Sequence, residues 1–317
     1  MNNAAEPLSR AEGCLLGQFA GDSLGSLVEW QPPSEILRRY PNRVRELIDG
    51  GVWGTIAGQP TDDSEMALML ARTLVKERRY DVEEVRKAYV FWLDSPAFAA
   101  GGTILAGLRG NPKAESQANG ALMRISPLGI FCANSDLATT SELAQKDAAL
   151  THPHPICLQA NALFTMAIAQ AISRLKGPRE IYEDIKGWAT EMNVEKPLMQ
   201  AILDAPHSAP ADYIDQLGWV LIAFHNALWQ LLNAPSLEEG VVDTVMRGGD
   251  TDTNAAIAGA LLGAVYGRDA LPKQWVEKIL SCRPEDGEQR VRRPRPECFW
   301  PVDALLLAKN LLAGPAS

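Results

Sequence analysis

Two segments of the sequence carry glycines at intervals of four residues. The first contains Gly13, Gly17, Gly21 and Gly25, and the second contains Gly259, Gly263 and Gly267. Residues four apart lie on one face of a helix, so each segment predicts a helix with a bare strip of backbone. Each glycine inside a helix costs roughly 1 kcal/mol relative to alanine. We therefore expect another helix to pack closely on each strip and to compensate through dispersion contacts.

The rest of the chain also repeats its apolar residues at helical intervals. Examples are residues 66–74, 158–175 and 217–232, and a final helix is expected at about residues 302–312. Alternating β-branched runs between tight turns, which are typical of strands, are almost absent. The polar segment 283–297 contains three prolines, which predicts a long excursion over the surface. The sequence predicts a single all-α domain over residues 1–317, with about a dozen helices and flexible ends at residues 1–8 and 314–317.

The composition limits the partners and compartments that the chain suits. Its 317 residues include 39 Asp and Glu against 30 Lys and Arg, and this net charge of −9 argues against a general nucleic-acid-binding protein. Five scattered cysteines without a C-x-x-C favour a reducing compartment. No signal-peptide pattern is visible, and the longest apolar run, residues 255–267, is shorter than the roughly 20 residues of a membrane span. We expect a cytoplasmic protein without a membrane span, whose oligomeric state the sequence leaves open.

Three acidic groups stand at the ends of expected helices. The first is T-D-D at residues 61–63, the second is G-G-D-T-D-T at residues 248–253, and the third is Asp22 with Glu29. Each group alone has a simple explanation, because Asp and Thr are favoured N-caps and acidic side chains suit the first turn of a helix. Asp62 with Glu65 also resembles a capping box. One cap needs only one or two such residues, however, and here two helices begin with paired carboxylates.

The paired carboxylates predict a metal site. If the two helix starts face each other, one space is surrounded by five carboxylates, which are Glu29, Asp62, Asp63, Asp250 and Asp252. Carboxylates packed together repel one another unless they are protonated or paired with cations. No run of Lys or Arg lies nearby in the sequence. Hard divalent cations prefer oxygen ligands, and the hydroxyls of Thr61 and Thr253 can add to the set, so we expect Mg²⁺ or Mn²⁺.

A serine hydrolase is the rival hypothesis from another class. Residues 21–24 read G-D-S-L, the block that names the GDSL esterases, and Ser23 also fits the pattern of a nucleophile elbow. Asp204 and His207 supply the D-x-x-H that such esterases use. Both motifs require the serine to follow a β-strand, whereas residues 11–20 have helical spacing, so the match is short and weakly specific.

Two histidines precede a helix expected at residues 156–173. They are His152 and His154, in T-H-P-H-P at residues 151–155. A structural role in helix entry and contact with a ligand both remain open for them.

Taken together, these motifs resemble the ADP-ribosylglycohydrolase family, which includes the dinitrogenase reductase-activating glycohydrolases. The resemblance covers most of the chain. Its motifs, in family order, are residues 13–17 and 21–25 through Glu29, G-Q-P-T-D-D-S-E-M-A-L at 58–68, N-G-A-L-M-R at 119–124, T-H at 151–152 and G-G-D-T-D-T-N-A at 248–255. The paired T-D-D and G-G-D-T-D-T blocks are the most specific part of this match.

The resemblance implies an all-α domain with a central cleft that holds two Mg²⁺ or Mn²⁺ ions. It implies metal ligands at Thr61, Asp62, Asp63, Asp250, Asp252 and Thr253. It implies catalytic roles for Glu29, which matches a flexible acidic residue near the metals, and for Asp252. It implies that the substrate contacts Gly101, Ser116, Asn119, Gly120, Met123 and His152.

The sequence departs from the family at two positions that concern specificity. Arginine-specific members usually carry an acidic residue where this sequence has Ala99, and some relatives carry an aromatic ring where it has Gln117. These departures leave the modified amino acid and the adenine contacts open.

The activity implied by the resemblance is hydrolysis of the glycosidic bond between ADP-ribose and an acceptor side chain, which reverses protein ADP-ribosylation. Metals are expected to activate a water, Glu29 to act as base or acid, and backbone N–H groups around Asn119 and Gly120 to hold the diphosphate. The alternatives are hydrolysis of a free ADP-ribose derivative, a catalytically silent ADP-ribose-binding relative, or the serine esterase.

Overall fold

The structure is a computed structural model that describes residues 5–96, 98 and 100–315. Within these residues there are fifteen α-helices, three short 3-10 helices and no β-strand, apart from two isolated bridges at Gly50–Thr55 and Ala118–Trp219. The prediction of an all-α fold is confirmed.

The α-helices are α1 (Ala5–Gly25), α2 (Pro33–Arg39), α3 (Asp62–Glu77), α4 (Val82–Asp94), α5 (Gly102–Leu108), α6 (Ser126–Phe131), α7 (Leu137–Ala149), α8 (Pro155–Arg174), α9 (Pro178–Glu191), α10 (Lys196–Asp204), α11 (Val220–Asn233), α12 (Leu237–Met246), α13 (Thr251–Tyr266), α14 (Lys273–Ser281) and α15 (Ala304–Leu312). The 3-10 helices are Leu122–Arg124, Arg268–Ala270 and Glu297–Phe299. Residues 5–8, which the sequence places in a flexible end, form the first turn of α1.

The two glycine strips pack directly against each other at the centre of the molecule. A Cβ atom on Gly17 would lie 2.2 Å from the Gly259 carbonyl oxygen, and a Cβ on Gly13 would lie 2.5 Å from the carbonyl oxygen of Gly263; both distances are shorter than a van der Waals contact. At the end of α1, a Cβ on Gly25 would overlap the backbone of Asp252. The glycines therefore let α1 and α13 touch backbone to backbone, and the dispersion contacts offset their low helix propensity.

Helix α11 begins three residues later than its apolar spacing predicts, at Val220 rather than residue 217. The backbone N–H of Val220 donates to the Gln117 carbonyl (2.9 Å), and the N–H of Asn119 donates to the Gly218 carbonyl (2.8 Å). These bonds pair two loop segments in an extended arrangement. Tertiary pairing thus overrides helix propensity here, and it fixes both segments beside the same cavity.

The proline-bearing segment 283–296 runs across the surface without regular structure, as its composition predicts. One of its side chains, however, turns inward. Arg295 is buried and forms two 2.7 Å hydrogen bonds with the Glu65 carboxylate on α3. This ion pair attaches the segment to the core beside the loop of residues 50–59.

Helix α8 is the one helix among the described residues that is long and apolar enough to cross a membrane. Its most apolar window is 78% buried inside the molecule. It packs against α6, α7 and α13. Its apolar character is therefore explained by its place in the protein core.

Candidate metal and substrate cleft

A cleft of about 330 Å³ lies where the first turns of α3 and α13 meet the end of α1. The five carboxylates of the sequence-based metal hypothesis line it, namely Glu29, Asp62, Asp63, Asp250 and Asp252. Its other walls include the indole rings of Trp30 and Trp53, the start of α5, and residues 118–120. No lysine or arginine of the described chain lines this cleft.

Helix α3 is capped by a side chain from another helix. Asp22 on α1 accepts hydrogen bonds from the backbone N–H groups of Thr61 (3.0 Å) and Ser64 (3.0 Å), and from the Thr61 hydroxyl (2.7 Å). Because Asp22 satisfies these donors, the capping-box explanation of Asp62 is wrong. Its presumed partner Glu65 instead binds Arg295 and Trp92. Asp62 and Asp63 are consequently free to face the cleft.

The start of α13 likewise leaves its carboxylates directed into the cleft. Asp250 is the N-cap residue by position, but its side chain accepts no capping bond from the helix. Its Oδ2 atom accepts from the Asn119 side-chain amide at 2.6 Å, while Asp252 Oδ1 accepts from the backbone N–H of Thr253 at 2.9 Å. Both carboxylates are thus oriented by single donors and retain free oxygen atoms.

Glu29 completes the acidic cluster from the loop after α1. Trp53 Nε1 donates to Glu29 Oε2 at 2.6 Å. The Trp53 ring is held edge-on by Trp30 (5.4 Å between centroids) and Phe98 (5.9 Å), and the guanidinium of Arg293 lies 5.7 Å from its centroid. An aromatic wall therefore orients the Glu29 carboxylate.

The cleft disfavours negative charge unless a cation is present. Burial raises the pKa of Glu29 from 4.5 to about 7, against the hydrogen bond from Trp53, which lowers it. Burial, followed by repulsion from neighbouring carboxylates, raises the pKa values of Asp62, Asp63 and Asp252 well above their ordinary range. Among the residues that the structure describes, none supplies a compensating positive charge to the lining of this cleft.

The arrangement fits divalent cations. Glu29, Asp250 and Asp252 each offer an oxygen, and these oxygens lie within 4.8 Å of one another. Asp63 Oδ1 is buried and accepts no hydrogen bond from the residues that the structure describes. A buried carboxylate oxygen without a donor is costly unless a cation binds it. The donor set consists of carboxylate and hydroxyl oxygens, which Mg²⁺ and Mn²⁺ prefer.

The structure brings most of the predicted substrate residues to the same cleft. Gly101, Asn119, Gly120, Met123 and His152 line it. Ser116 lies behind the wall, where its hydroxyl bonds to that of Thr103 at 2.7 Å, and Thr103 itself lines the cleft. Ala99, whose identity bears on the acceptor, lies outside the described residues.

Two details differ from the sequence hypothesis. Thr253 lines the cleft, whereas Thr61 does not. The Thr61 hydroxyl donates to Asp22 at 2.7 Å and lies 3.1 Å from Asp63 Oδ2, and its oxygen keeps lone pairs that can bind a cation. The backbone N–H of Asn119 donates to the Gly218 carbonyl at 2.8 Å, so this one N–H is not available to hold a diphosphate; the expectation for the N–H groups around Gly120 stays a prediction. The backbone N–H of Asn119 is used in the pairing of the two loop segments that form the cleft wall.

Sequence reasoning missed the residues that support the cluster. They are Asp22 and Trp53, and the sequence-based hypothesis gives a role to neither. A carboxylate that interrupts the apolar run of α1 is a sequence signal of a buried polar contact, and the structure shows that Asp22 is fully buried. Trp53 lies in a glycine-rich loop, G-G-V-W-G at residues 50–54, where no local pattern reveals its contact with Glu29.

The serine esterase hypothesis is contradicted by the position of its nucleophile. Ser23 lies within α1, is buried, and donates to the Gln59 carbonyl at 3.0 Å. His207 is exposed just after α10 and does not line the cleft. A nucleophile elbow needs a serine exposed after a strand, and Ser23 meets neither condition.

Comparison with known proteins agrees with this geometry. The sequence is 29% identical to the ADP-ribosyl-[dinitrogen reductase] glycohydrolase of Rhodospirillum rubrum, over 95% of this chain and 97% of that protein. It is 28% identical to the ADP-ribosylarginine hydrolase Tri1 of Pseudomonas putida, over 86% of this chain and 75% of that protein. A solved structure described as an ADP-ribosylglycohydrolase-related protein complex superposes with a TM-score of 0.79 and 26% identity, covering 97% of this chain and 98% of that one. The sequence profile of ADP-ribosylglycohydrolases matches residues 3–298, and the chain therefore belongs to the ADP-ribosylglycohydrolase family, whose members are hydrolases of ADP-ribose glycosidic bonds.

Proposed function

We propose that the cleft binds two divalent cations, Mg²⁺ or Mn²⁺, and removes ADP-ribose from a modified protein side chain. The observation that carries this proposal is the meeting of five carboxylates in one cleft without a cationic side chain. Asp22 takes over the capping of α3, which frees its first-turn carboxylates for another role. The ligands in this proposal are Asp62, Asp63, Asp250 and Asp252, with the hydroxyls of Thr61 and Thr253.

The protein's own part in the reaction centres on Glu29. Bound cations of this kind lower the pKa of a coordinated water and polarise sugar oxygens. In the metal-free cleft burial raises the pKa of Glu29 to about 7, and bound cations would lower it, so Glu29 stands there as an ionised carboxylate that can accept a proton near neutral pH. It accepts a proton from the attacking water, whose oxygen bonds to C1″ as the bond from C1″ to the acceptor side chain breaks through an oxocarbenium-like transition state. The departing side chain then takes up that proton, which returns Glu29 to its ionised form. Trp53 keeps one oxygen of Glu29 occupied, so the other is directed to the reaction.

Arginine is the acceptor that we propose. The names of two relatives refer to dinitrogen reductase and to ADP-ribosylarginine. At the mouth of the cleft, Trp30 is 53% exposed and Trp53 stands beside it. A planar guanidinium stacks well on indole rings near a carboxylate, and this supports arginine over serine.

The test is release of ADP-ribose from proteins modified on arginine or on serine, with Mg²⁺, Mn²⁺ or excess EDTA. We expect release from the arginine-linked substrate with either metal and none in EDTA. Equal release in EDTA would overturn the metal proposal, and release from serine alone would overturn the arginine proposal. Binding of ADP-ribose without release from any protein would identify a silent relative, and release of a free derivative alone would shift the substrate class.

A further inference from the structure

A buried chain of hydrogen bonds ends at His152 in the wall of the cleft. We propose that Arg124 and Thr151 are positioning residues that hold His152 as a neutral imidazole with its proton on Nε2. This Nε2–H then donates to an acceptor oxygen of the ADP-ribose portion of the substrate. The identity of the ligand rests on the proposed function, whereas the state of the ring rests on the contacts below.

The chain of hydrogen bonds begins at the fully buried ion pair between Arg124 and Asp147. Arg124 Nε donates to Asp147 Oδ1 at 3.0 Å, and its NH2 group donates to the Asp147 carbonyl at 2.9 Å. The Tyr89 hydroxyl donates to Asp147 Oδ2 at 2.9 Å, and the guanidinium lies 4.4 Å from the Tyr89 ring centroid. These contacts fix the plane of the guanidinium, so its remaining NH1 group points in a set direction.

That NH1 group determines the proton arrangement of Thr151. Arg124 NH1 lies 2.9 Å from Thr151 Oγ1, and arginine has donors only, so the hydroxyl oxygen must accept here. Thr151 Oγ1 also lies 2.7 Å from His152 Nδ1. Among the described residues the structure records no other acceptor for the one proton of this hydroxyl, so we assign that proton to the bond with Nδ1, which then acts as the acceptor. An imidazole that accepts at Nδ1 and is neutral carries its proton at Nε2.

The ring has little freedom to leave this position. A Cβ on Gly107 of α5 would lie 2.5 Å from Thr151 Cα, so that helix packs directly against the threonine backbone. On the other side, a Cβ on Gly120 would lie 3.1 Å from His152 Cε1. The backbone N–H of His152 donates to the Ala148 carbonyl at 2.7 Å. These contacts hold the backbone of residues 151–152 in place and leave little space between Gly120 and the edge of the ring.

The chain of hydrogen bonds ends at the Nε2 atom of His152. His152 as a whole residue is buried from solvent, and it lines the cleft. Its Nε2 atom has no hydrogen-bond partner among the residues that the structure describes. Leaving a buried donor unpaired costs free energy, which a ligand oxygen would recover. Burial, with the nearby charge of Arg124, lowers the pKa of His152 to about 3, so the ring stays neutral near pH 7.

A neutral donor held in this way binds an oxygen without exchanging a proton. Ribose hydroxyls and diphosphate oxygens both have this acceptor chemistry. The acidic cluster lines the same cleft, so a ligand bound there can meet both the carboxylate site and this neutral donor. His152 therefore contributes binding and orientation, while Glu29 carries proton transfer.

The state of the ring can be read directly by ¹⁵N NMR of histidine-labelled protein, with His152 assigned by its absence in His152→Gln. We expect a bare Nδ1 and a protonated Nε2, unchanged from pH 5.5 to 8 and with or without metal. A proton on Nδ1, or titration of the ring in this range, would overturn the proposal. This measurement needs no turnover, so its result stands even if the hydrolase proposal fails.

The positioning role is tested by ADP-ribose binding in the presence of Mg²⁺. Thr151→Val removes the link to His152 and is expected to weaken binding about tenfold, while Thr151→Ser keeps the hydroxyl and should bind within about twofold of wild type. The matched control is Thr244→Val, because Thr244 is also buried, accepts from Asn226 and donates to a carbonyl, but lies outside the cleft. Unchanged binding in Thr151→Val, or equal weakening in Thr244→Val, would refute the role. If Thr151→Val does not fold, failure of Thr151→Ser to bind like wild type decides against it.

Discussion

Two regions of the molecule bury carboxylates in opposite ways. Glu65 and Asp147 each lie against an arginine of the same chain, Arg295 and Arg124, at hydrogen-bond distance. The carboxylates of the cleft meet only one another, together with amide, hydroxyl and indole donors. The first arrangement is balanced by charges within the polypeptide, whereas the second is balanced only when its carboxylates bind protons or cations from outside.

The difference teaches that burial of acidic residues alone does not identify a metal site. Two features distinguish the cleft. No lysine or arginine among the described residues lines it, and Asp22, Asn119 and Trp53 supply the hydrogen bonds that hold its helix start and its carboxylates. The following predictions use one variant from each region, or one condition that separates them.

The largest expected effect is loss of stability on breaking a paired carboxylate. Glu65→Gln leaves Arg295 buried without its counter-charge, so we expect about 3 to 5 kcal/mol less free energy of unfolding. Urea denaturation with and without Mg²⁺ measures this, and the loss should be the same in both. The double variant Glu65→Gln/Arg295→Met should recover much of it, and no recovery would show that packing rather than charge is responsible.

Removing a cleft carboxylate is expected to act on activity instead. Asp252→Asn should lower kcat/KM by at least about 100-fold, since even residues that only support metal ligands often contribute 10- to 100-fold. The metal-free variant should melt no lower than the metal-free wild type, because one repelling charge is gone. Thermal melting and ADP-ribose release measure both effects. A strongly lowered melting temperature without metal would mean that Asp252 is structural, like Glu65.

The metal-free protein is expected to lose stability as pH rises. Glu29 ionises near its ordinary value of 4.5 in the unfolded chain but at about 7 in the folded one. Between these values the folded state binds more protons, so its stability is greatest at the low end and falls as pH rises to about 7. Melting temperatures of metal-free wild type and Glu29→Gln across this range test it. The variant should show a shallower decline, and parallel curves would contradict the raised pKa.

The smallest expected effect compares two indole–carboxylate hydrogen bonds. Trp53 donates to Glu29 in the cleft, and Trp92 donates to Glu65 beside Arg295. Trp53→Phe should lower kcat roughly tenfold with little change in KM, whereas Trp92→Phe should lower stability but leave kcat nearly unchanged. Steady-state kinetics and melting of both variants provide the measurement. Equal effects on kcat would remove the distinction between the two regions.

The elements that carry the ligands were predictable from local sequence. The T-D-D and G-G-D-T-D-T blocks stand at helix starts, and they do open α3 and α13. The glycine strips indicated close helix packing, and they meet each other in the structure. Local patterns succeed here because capping preferences and helical spacing act over a few residues.

The supporting contacts were not predictable in this way. Asp22 caps a helix 39 residues away in sequence, and Asn119 reaches Asp250 across 131 residues. The late start of α11 arises from backbone pairing with residues 117–119, which no helical propensity encodes. These features depend on tertiary neighbours, and a single sequence contains no local signal for them.

The backbone contact between α1 and α13 has a consequence for protein synthesis. Gly25 and Thr251, whose hydroxyl donates to the Gly25 carbonyl, are separated by 226 residues. At translation rates of 5 to 20 residues per second, roughly 10 to 45 seconds pass between them. During that interval the glycine strip of α1 has no α13 to pack against, and the carboxylates at the start of α13 have not yet been synthesised. Assembly of the cleft, and any metal binding proposed for it, therefore has to follow translation of α13, and a ribosome stalled before α13 holds a nascent chain that cannot assemble the cleft.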